Sequence, residues 1–253
     1  MFKMTRILLS GCCGKMGRNV AAVVSARKDC EIVAGIDIVE DNTIGFPVFQ
    51  NYDEVNVKAD VIIDFSNPAL LSDMLSFALK TNTAVVLATT GLTDDQIAQV
   101  EEASKSIAVF FSYNMSLGVS LLCELSKVAA KILGSDFDVE IIEAHHNQKI
   151  DAPSGTAIML GNAVKEMMPD AYFEYDRFSK REKRHSNEIG IHSVRGGTIV
   201  GEHEVIFAGN DEIVKLSHSA RSKAIFAQGA VNAAAFLNGK ENGIYNMSDL
   251  VNA

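Results

Sequence analysis

The chain has no surplus of positive charge. It carries 23 Lys and Arg against 32 Asp and Glu, a net −9. That balance argues against a nucleic-acid partner, which needs a basic stripe. An anionic ligand must therefore be drawn in by a local cluster of positive groups. Also missing is any apolar run of the roughly 20 residues that a membrane span takes. Met1 to Arg6 lead straight into a short apolar run and lack the longer core of a signal peptide. Cysteine is scarce: Cys12, Cys13, Cys30 and Cys123. These four form no framework like that of a small secreted domain, and a reducing cytoplasm fits them best. Cys12 and Cys13 are adjacent, which is not the spacing of a common zinc pair. They read as small residues in a tight turn, and no metal site is expected. There is no internal repeat and no low-complexity tract.

What remains is a chain of 253 residues, 47% hydrophobic, enough for a sizeable core in one large or two modest domains. Short apolar strands are expected at Ile7–Ser10, Ile32–Asp37, Val61–Phe65, Ala84–Ala88 and Ile107–Phe111. Helices are expected between them at Arg18–Ala26, Pro68–Lys80 and Asp94–Ser104. Apolar strands alternating with helices indicate a doubly wound parallel sheet covered on both faces. After about Asn114 the pattern changes. Helices are expected at Leu117–Leu133 and Ser154–Met168, with strands at Phe137–Ala144, Ile189–Val194, Thr198–Phe207 and Glu212–Ser217. Ala208-Gly209-Asn210-Asp211 is a hairpin signal between the last two. This reads as a second, α+β domain. Residues 170–187 are polar and charge-dense with no period, and read as a mobile loop. A last helix is expected at Arg221–Leu237.

Gly11-Cys12-Cys13-Gly14-Lys15-Met16-Gly17 follows the first strand and opens a helix. Glycine permits a tight turn and lets backbone N–H groups approach a diphosphate, to which the helix N-terminus adds its positive end. A turn that merely needs small residues would look similar. Two features favour dinucleotide binding. The motif lies at the first crossover, and Asp37 ends the next strand twenty residues beyond Gly17, where an acid would hold ribose hydroxyls. Ala88-Thr89-Thr90-Gly91 and Ser112-Tyr113-Asn114-Met115 also follow strands of this sheet, at the edge where such sheets bind ligands. Each taken alone reads as a plain loop.

Glu143-Ala144-His145-His146-Asn147-Gln148-Lys149 precedes Asp151-Ala152-Pro153-Ser154-Gly155-Thr156. The first group offers proton donors and positive charge. The second offers N–H groups at a helix start, which suit a carboxylate. Adjacent histidines on a strand point to opposite faces, so one ion would not readily take both. On the residues alone, a proton-transfer site and a polar loop with an N-cap at Ser154 are both open.

The run from Glu143 to Ala157 resembles the signature of the 4-hydroxy-tetrahydrodipicolinate reductase family, also called dihydrodipicolinate reductases, of the diaminopimelate route to lysine. The likeness extends to Gly11–Gly17, Ala88–Gly91, Asn114–Gly118, Val194-Arg195 and Val200–His203. It implies a Rossmann-type dinucleotide-binding domain over residues 1–114 and 222–253. Residues 115–221 would form a domain for substrate binding and tetramerisation. His145 matches the family's acid/base, and Lys149 its proton donor and substrate contact. His146, Ser154, Gly155 and Thr156 match substrate positions. Gly11, Cys12, Cys13, Gly14, Lys15, Met16, Gly17, Asp37, Ala88, Thr89, Thr90, Gly91, Tyr113, Asn114, Met115 and Ser116 match the cofactor site. The implied reaction is NAD(P)H-dependent reduction of a small cyclic dicarboxylate by a cytoplasmic homotetramer. In some family members an Arg follows the strand-end acid and meets the extra phosphate of NADPH. Here that position is Ile38, with Lys15 nearby in the motif, so both NADH and NADPH are expected with NADH preferred. The rivals are another Rossmann dehydrogenase of a small carboxylated substrate, a non-catalytic NADH sensor, and a metal-assisted hydrolase using His145 and His146.

Overall fold

The computed structural model describes residues 4–39, 41 and 43–253. In chain order the first elements are β1 (Thr5–Ser10), α1 (Lys15–Ser25), β2 (Cys30–Ile36), β3 (Val48–Phe49), β4 (Val61–Asp64), α2 (Leu71–Thr81), β5 (Ala84–Leu87), α3 (Asp94–Ser104) and β6 (Ala108–Phe111). Then come α4 (Leu117–Leu133), β7 (Asp138–His145), α5 (Gly155–Met167), β8 (Tyr172–Glu174), β9 (Glu188–Arg195), β10 (Gly201–Ala208) and β11 (Ile213–Ala220). The chain closes with α6 (Ala224–Leu237), β12 (Gly243–Tyr245) and α7 (Met247–Val251). It divides into two compact units, Met1–Ser116 with Ala224–Ala253, and Leu117–Lys223.

The first unit is a parallel sheet of seven strands in the order β12-β6-β5-β4-β1-β2-β3. Strand order reverses between β1 and β4, and that switch point is where open α/β sheets bind ligands. Side chains alternate across the strands, which explains why they read as unbroken apolar runs. Ile7, Leu9, Ile63 and Phe110 pack on one face with Val20 of α1 and Ala230 and Ala234 of α6. Leu8, Ile62, Val85 and Val109 pack on the other with Met74 of α2 and Val100 of α3. Each of these buried Val, Leu, Ile, Met and Phe side chains is worth about 1.5–3 kcal/mol of transfer free energy.

The second unit is a mixed five-stranded sheet in the order β11-β10-β7-β9-β8. β10 runs antiparallel to β7 and β11, while β9 is parallel to β7 and β8. Helices α4 and α5 cover one face: Leu122, Leu160 and Val164 meet Ile141, Ile191, Val205 and Phe207. The opposite face carries Ile142, Val194 and Ile213, which are 37%, 49% and 62% exposed.

The structure departs from the sequence reading in several places. Residues 170–187 contain strand β8, and several of their charges are paired. Arg177 donates to both oxygens of the buried Glu188 at 3.0 Å. Arg184 reaches Asp138 at 2.7 Å, Glu140 at 3.1 Å and two backbone carbonyls of β7 and β9. The first helix starts at Lys15, inside the glycine motif, because Gly14 already serves as its N-cap. The last long helix starts at Ala224, since β11 runs on to Ala220. β3, β12 and α7 are too short to show a period in sequence.

Candidate active site

Strand β7 places Glu143 and His145 on one face, two residues apart. Glu143 is fully buried. Its neighbours across the sheet are His203 on β10 and Ser193 on β9, and Arg195 sits opposite His145. Arg195 grips the carboxylate with a fork, at 2.8 Å to Oε2 and 2.7 Å to Oε1. The Ser154 backbone N–H donates to Oε1 at 3.1 Å, and His145 Nδ1 lies 2.6 Å from Oε2. Burial alone would raise the Glu143 carboxyl. Hydrogen bonds from Arg195, His145, Ser193 and the Ser154 amide outweigh it and bring the pKa down to about 2. Glu143 is therefore an anion at neutral pH and can only accept. His145 must keep its proton on Nδ1, which leaves Nε2 as the nitrogen that exchanges protons. A Cβ on Gly201 would stand 3.2 Å from that Nε2, so a glycine there leaves the ring its space.

Ser154 caps α5, its hydroxyl accepting from the Ala157 N–H at 3.2 Å. The same hydroxyl lies 3.0 Å from Nε2 of the buried His203. Burial, and then the neighbouring His145, press the His203 pKa down to about 4, so this ring is neutral at pH 7. The His145 and His203 rings meet edge to face at 5.2 Å. Glu143 thus binds β7, β9 and the start of α5 into one rigid corner. Gly155, the first residue of α5, is exposed with open space where a Cβ would stand. A helix start leaves its first N–H groups without intrahelical partners, and here they lie next to the His145 corner. Lys149 pairs with Asp151 at 2.8 Å. Hydrogen bonding to Lys149 lowers the Asp151 pKa. Two backbone bonds, Gly196 N–H to His145 C=O at 2.9 Å and Asn147 N–H to Gly197 C=O at 3.2 Å, tie down the chain after β7. His146, half-buried, follows directly.

In the first unit, the glycine motif lies at the switch point. Gly11 has φ +74° and a Cβ there would meet Phe65 O at 2.7 Å, which no side chain tolerates. A Cβ on Gly17 would come within 2.2 Å of Gly11 O, so α1 can pack this close only as glycine. Helix α1 has no side-chain cap, unlike α3 and α5, and no acid in its first turn. That leaves its positive end open to an anion. Asp37 Oδ2 accepts the Cys13 N–H at 2.9 Å and Oδ1 the Val39 N–H at 3.2 Å. Lys15 is exposed, and Ile38 is 81% exposed. Thr89 turns inward and donates to the buried Asp64 at 2.7 Å, while Thr90 and Gly91 are exposed. Asn114 Oδ1 accepts the Ser116 N–H at 2.8 Å. Met115 is buried, and a Cβ on Gly229 of α6 would collide with its carbonyl at 1.6 Å. Tyr113 is 72% exposed.

The sequence placed His145, Lys149 and Ser154 in one segment but left out what organises them. In the sequence, Glu143, Arg195 and His203 stand within the family-like runs and receive no role; Arg195 and His203 meet Glu143 across strands, 52 and 60 positions away. Asp151 as the partner of Lys149 also went unread.

Known families match both halves of the chain. The profile described as "Dihydrodipicolinate reductase, N-terminus" matches residues 5–115, and that described as "Dihydrodipicolinate reductase, C-terminus" matches residues 118–251. The chain belongs to the dihydrodipicolinate reductase family. Relatives in this family include the 4-hydroxy-tetrahydrodipicolinate reductase of Clostridium novyi (strain NT), 47% identical, with 98% of each chain covered. That of Caldanaerobacter subterraneus subsp. tengcongensis is 49% identical, again over 98% of each. A solved dihydrodipicolinate reductase from Paenisporosarcina sp. TG-14, with dipicolinate bound, superposes with a TM-score of 0.79 at 27% identity. It covers 96% of this chain and 97% of that one. As a member of this family the chain is an oxidoreductase, and its parallel sheet is of the pyridine-nucleotide-binding kind. No helix among the described residues is long and apolar enough to cross a membrane.

Proposed function

We propose that the protein reduces 4-hydroxy-tetrahydrodipicolinate to tetrahydrodipicolinate, with NADH or NADPH oxidised and one water lost. The observation that carries this is the corner at Glu143: an ionised carboxylate fixes the His145 tautomer beside Lys149 and an open helix start. The uncapped α1 and the side-chain-free cradle at Gly11 and Gly17 fit a dinucleotide diphosphate. Once the ring hydroxyl has left as water, a bound nucleotide would supply a hydride to the unsaturated ring carbon. The neighbouring carbon must then gain a proton.

Each protein group has a definable task in this scheme. His145 holds the exchangeable proton at Nε2 and acts as acid/base. Lys149 takes a ring carboxylate in place of Asp151 and assists protonation. His146, Ser154, Gly155 and Thr156 hold the other polar groups of the substrate, Ser154 through the helix start that it caps. Asp37 would receive ribose hydroxyls. Gly11, Gly14, Gly17 and the loops Ala88–Gly91 and Tyr113–Ser116 would line the nucleotide. NADH is the favoured donor, because Asp37 repels a 2′-phosphate and Ile38 offers no charge. The apolar outer face with Ile142, Val194 and Ile213 supports a homotetramer built through the second unit. Four free thiols support a cytoplasmic setting.

The test is cofactor absorbance with substrate made freshly from pyruvate and aspartate semialdehyde. Substrate-dependent loss of NADH, insensitive to a chelator, is the expected result. NADH binding without any such oxidation would leave a sensor instead, and chelator-sensitive hydrolysis would favour the metal-assisted reading.

A further inference from the structure

Cys12 and Cys13 do more than fill a tight turn. Cys12 is fully buried, and its sulfur occupies the space that a side chain at residue 35 would need: a Cβ on Gly35 would lie 2.4 Å from it. Asp37 is two residues further along from Gly35, so its carboxylate arrives on the same side as that sulfur. Cys13 Sγ lies 3.8 Å from Cys12 Sγ and 3.3 Å from the Val39 carbonyl oxygen. Among the described residues, Cys12, Cys13 and Asp37 are the group whose ligand atoms all fall within 4.8 Å of one another.

These spacings suit a small thiophilic cation. With Zn–S bonds of about 2.3 Å, two sulfurs of a tetrahedral zinc site stand about 3.8 Å apart. The cysteine sulfurs already have that separation. A carboxylate oxygen completes a two-sulfur, one-oxygen set of the borderline-soft type that zinc accepts.

We propose that Cys12, Cys13 and Asp37 form a site for a thiophilic divalent cation of the zinc class, whose occupation competes with the dinucleotide. Two thiol protons leave to solvent as two metal–sulfur bonds form, and no oxidant is involved. The bound ion draws Asp37 away from the ribose hydroxyls and fixes the backbone of the glycine motif around itself. The competition rests on reading this motif as the dinucleotide site, while the cation site itself does not.

Cd2+ is the probe, because cadmium thiolates absorb in the ultraviolet and imidazole or carboxylate complexes do not. Reduced protein is titrated with Cd2+, and the NADH dissociation constant is measured by fluorescence at each step. The expected result is a thiolate band that saturates at one equivalent and is bleached by Zn2+. The NADH dissociation constant should rise at least tenfold alongside it. In Cys13→Ser the band is lost, and the NADH constant, whatever its value, no longer moves with Cd2+. Cys12→Ala serves as a second variant, since it removes volume without adding any. No band at one equivalent, or a band retained in both variants, overturns the site. A saturated band with NADH binding unmoved overturns the competition. Failure of NADH to bind the metal-free protein would instead sink the dinucleotide reading, with the band still reporting on the site.

Discussion

Glu143 Oε2 and His145 Nδ1 lie 2.6 Å apart, two residues along one strand, with the carboxylate fully buried and the ring at the rim. The carboxylate is held ionised by the Arg195 fork. Charge at the buried carboxylate therefore dictates which nitrogen of the His145 ring can exchange a proton. Glu143 acts through His145 and is a positioning residue.

Replacing Glu143 by Gln keeps the shape and removes the charge. The Gln amide can donate to Nδ1 and so select the opposite tautomer. Turnover is expected to fall by about 100-fold, the lower end of what a positioned acid–base group contributes. The dissociation constant for NADH should stay within twofold. Steady-state kinetics and a fluorescence titration separate the two, since general loss of structure would move both. Arg195→Ala is the harsher change. It strands a buried charge and should cost about 3–5 kcal/mol of stability in a denaturant titration.

Acid sensitivity follows from the same corner. His203 has its pKa lowered to about 4 by burial and by His145, and His218 is also lowered, chiefly by burial. An unfolded histidine titrates near 6.5. As pH falls below that value the unfolded chain takes up protons that the folded one refuses, so stability drops from about pH 6.5 toward 4. Glu143 has its pKa lowered to about 2, so its contribution is present above its ordinary range and fades as pH falls below about 4.5. Urea midpoints at pH 7, 5.5 and 4.5 should fall in that order. His203→Gln should flatten the step between pH 7 and 5.5, and an unchanged slope would count against this account.

Much of the first unit was legible because its physics is local. Strands such as Val61–Asp64 are buried on both faces, so their composition alone marks them. Thr93 and Gln96 complete a capping box that fixes the start of α3 where the sequence put it. The glycine motif reads well because clashes at Gly11 and Gly17 would exclude a side chain at either position. Residues 170–187 read poorly because their order depends on Arg177 and Arg184 finding Glu188, Asp138 and Glu140. Charge density without period looks like solvated loop unless the partners are known. The chemistry of the second unit was half legible for the same reason. His145 and Lys149 announce themselves, whereas Arg195 reaches Glu143 only through the β7–β9 register.

Lys149 and Asp151 make opposed predictions. Lys149→Ala should lower turnover by about 100-fold or more while leaving NADH binding nearly unchanged. Asp151 holds the Lys149 ammonium at 2.8 Å and, on the proposed function, would give it up to a substrate carboxylate. Asp151→Asn should therefore lower KM about threefold with little change in kcat, in line with the modest strength of an ion pair whose acid is largely exposed. A raised KM in Asp151→Asn would mean that Asp151 positions Lys149 rather than competing for it.

The proposed homotetramer would be built on the outer face of the second sheet. Val194 and Ile213 are 49% and 62% exposed on strands whose other faces are packed by α4 and α5. Light scattering should give four times the mass of the 27.3 kDa chain. A Val194→Glu, Ile213→Glu double variant should dissociate, because it places charge in a dry contact while leaving the core of each unit untouched. A monomer mass for the unaltered protein at all working concentrations would remove this face as the cause of assembly.

The proposed preference for NADH rests on residues 37 and 38. The Asp37 carboxylate already accepts the Cys13 and Val39 amides, which fixes its orientation at the end of β2. It suits two free ribose hydroxyls and repels a phosphate in the same place. Ile38, 81% exposed, adds nothing to offset that repulsion. Lys15 at the start of α1 is exposed and would bring one flexible positive charge, so NADPH is expected to remain usable. NADH should show the higher kcat/KM, and Ile38→Arg should shift the ratio toward NADPH by about tenfold, since a guanidinium fork binds phosphate in a way that a lysine point charge does not. Kinetics with each cofactor, at fixed substrate and varied salt, give the ratio directly. A higher kcat/KM for NADPH in the unaltered protein would mean that Lys15 outweighs Asp37, and Lys15→Ala would then reverse the preference.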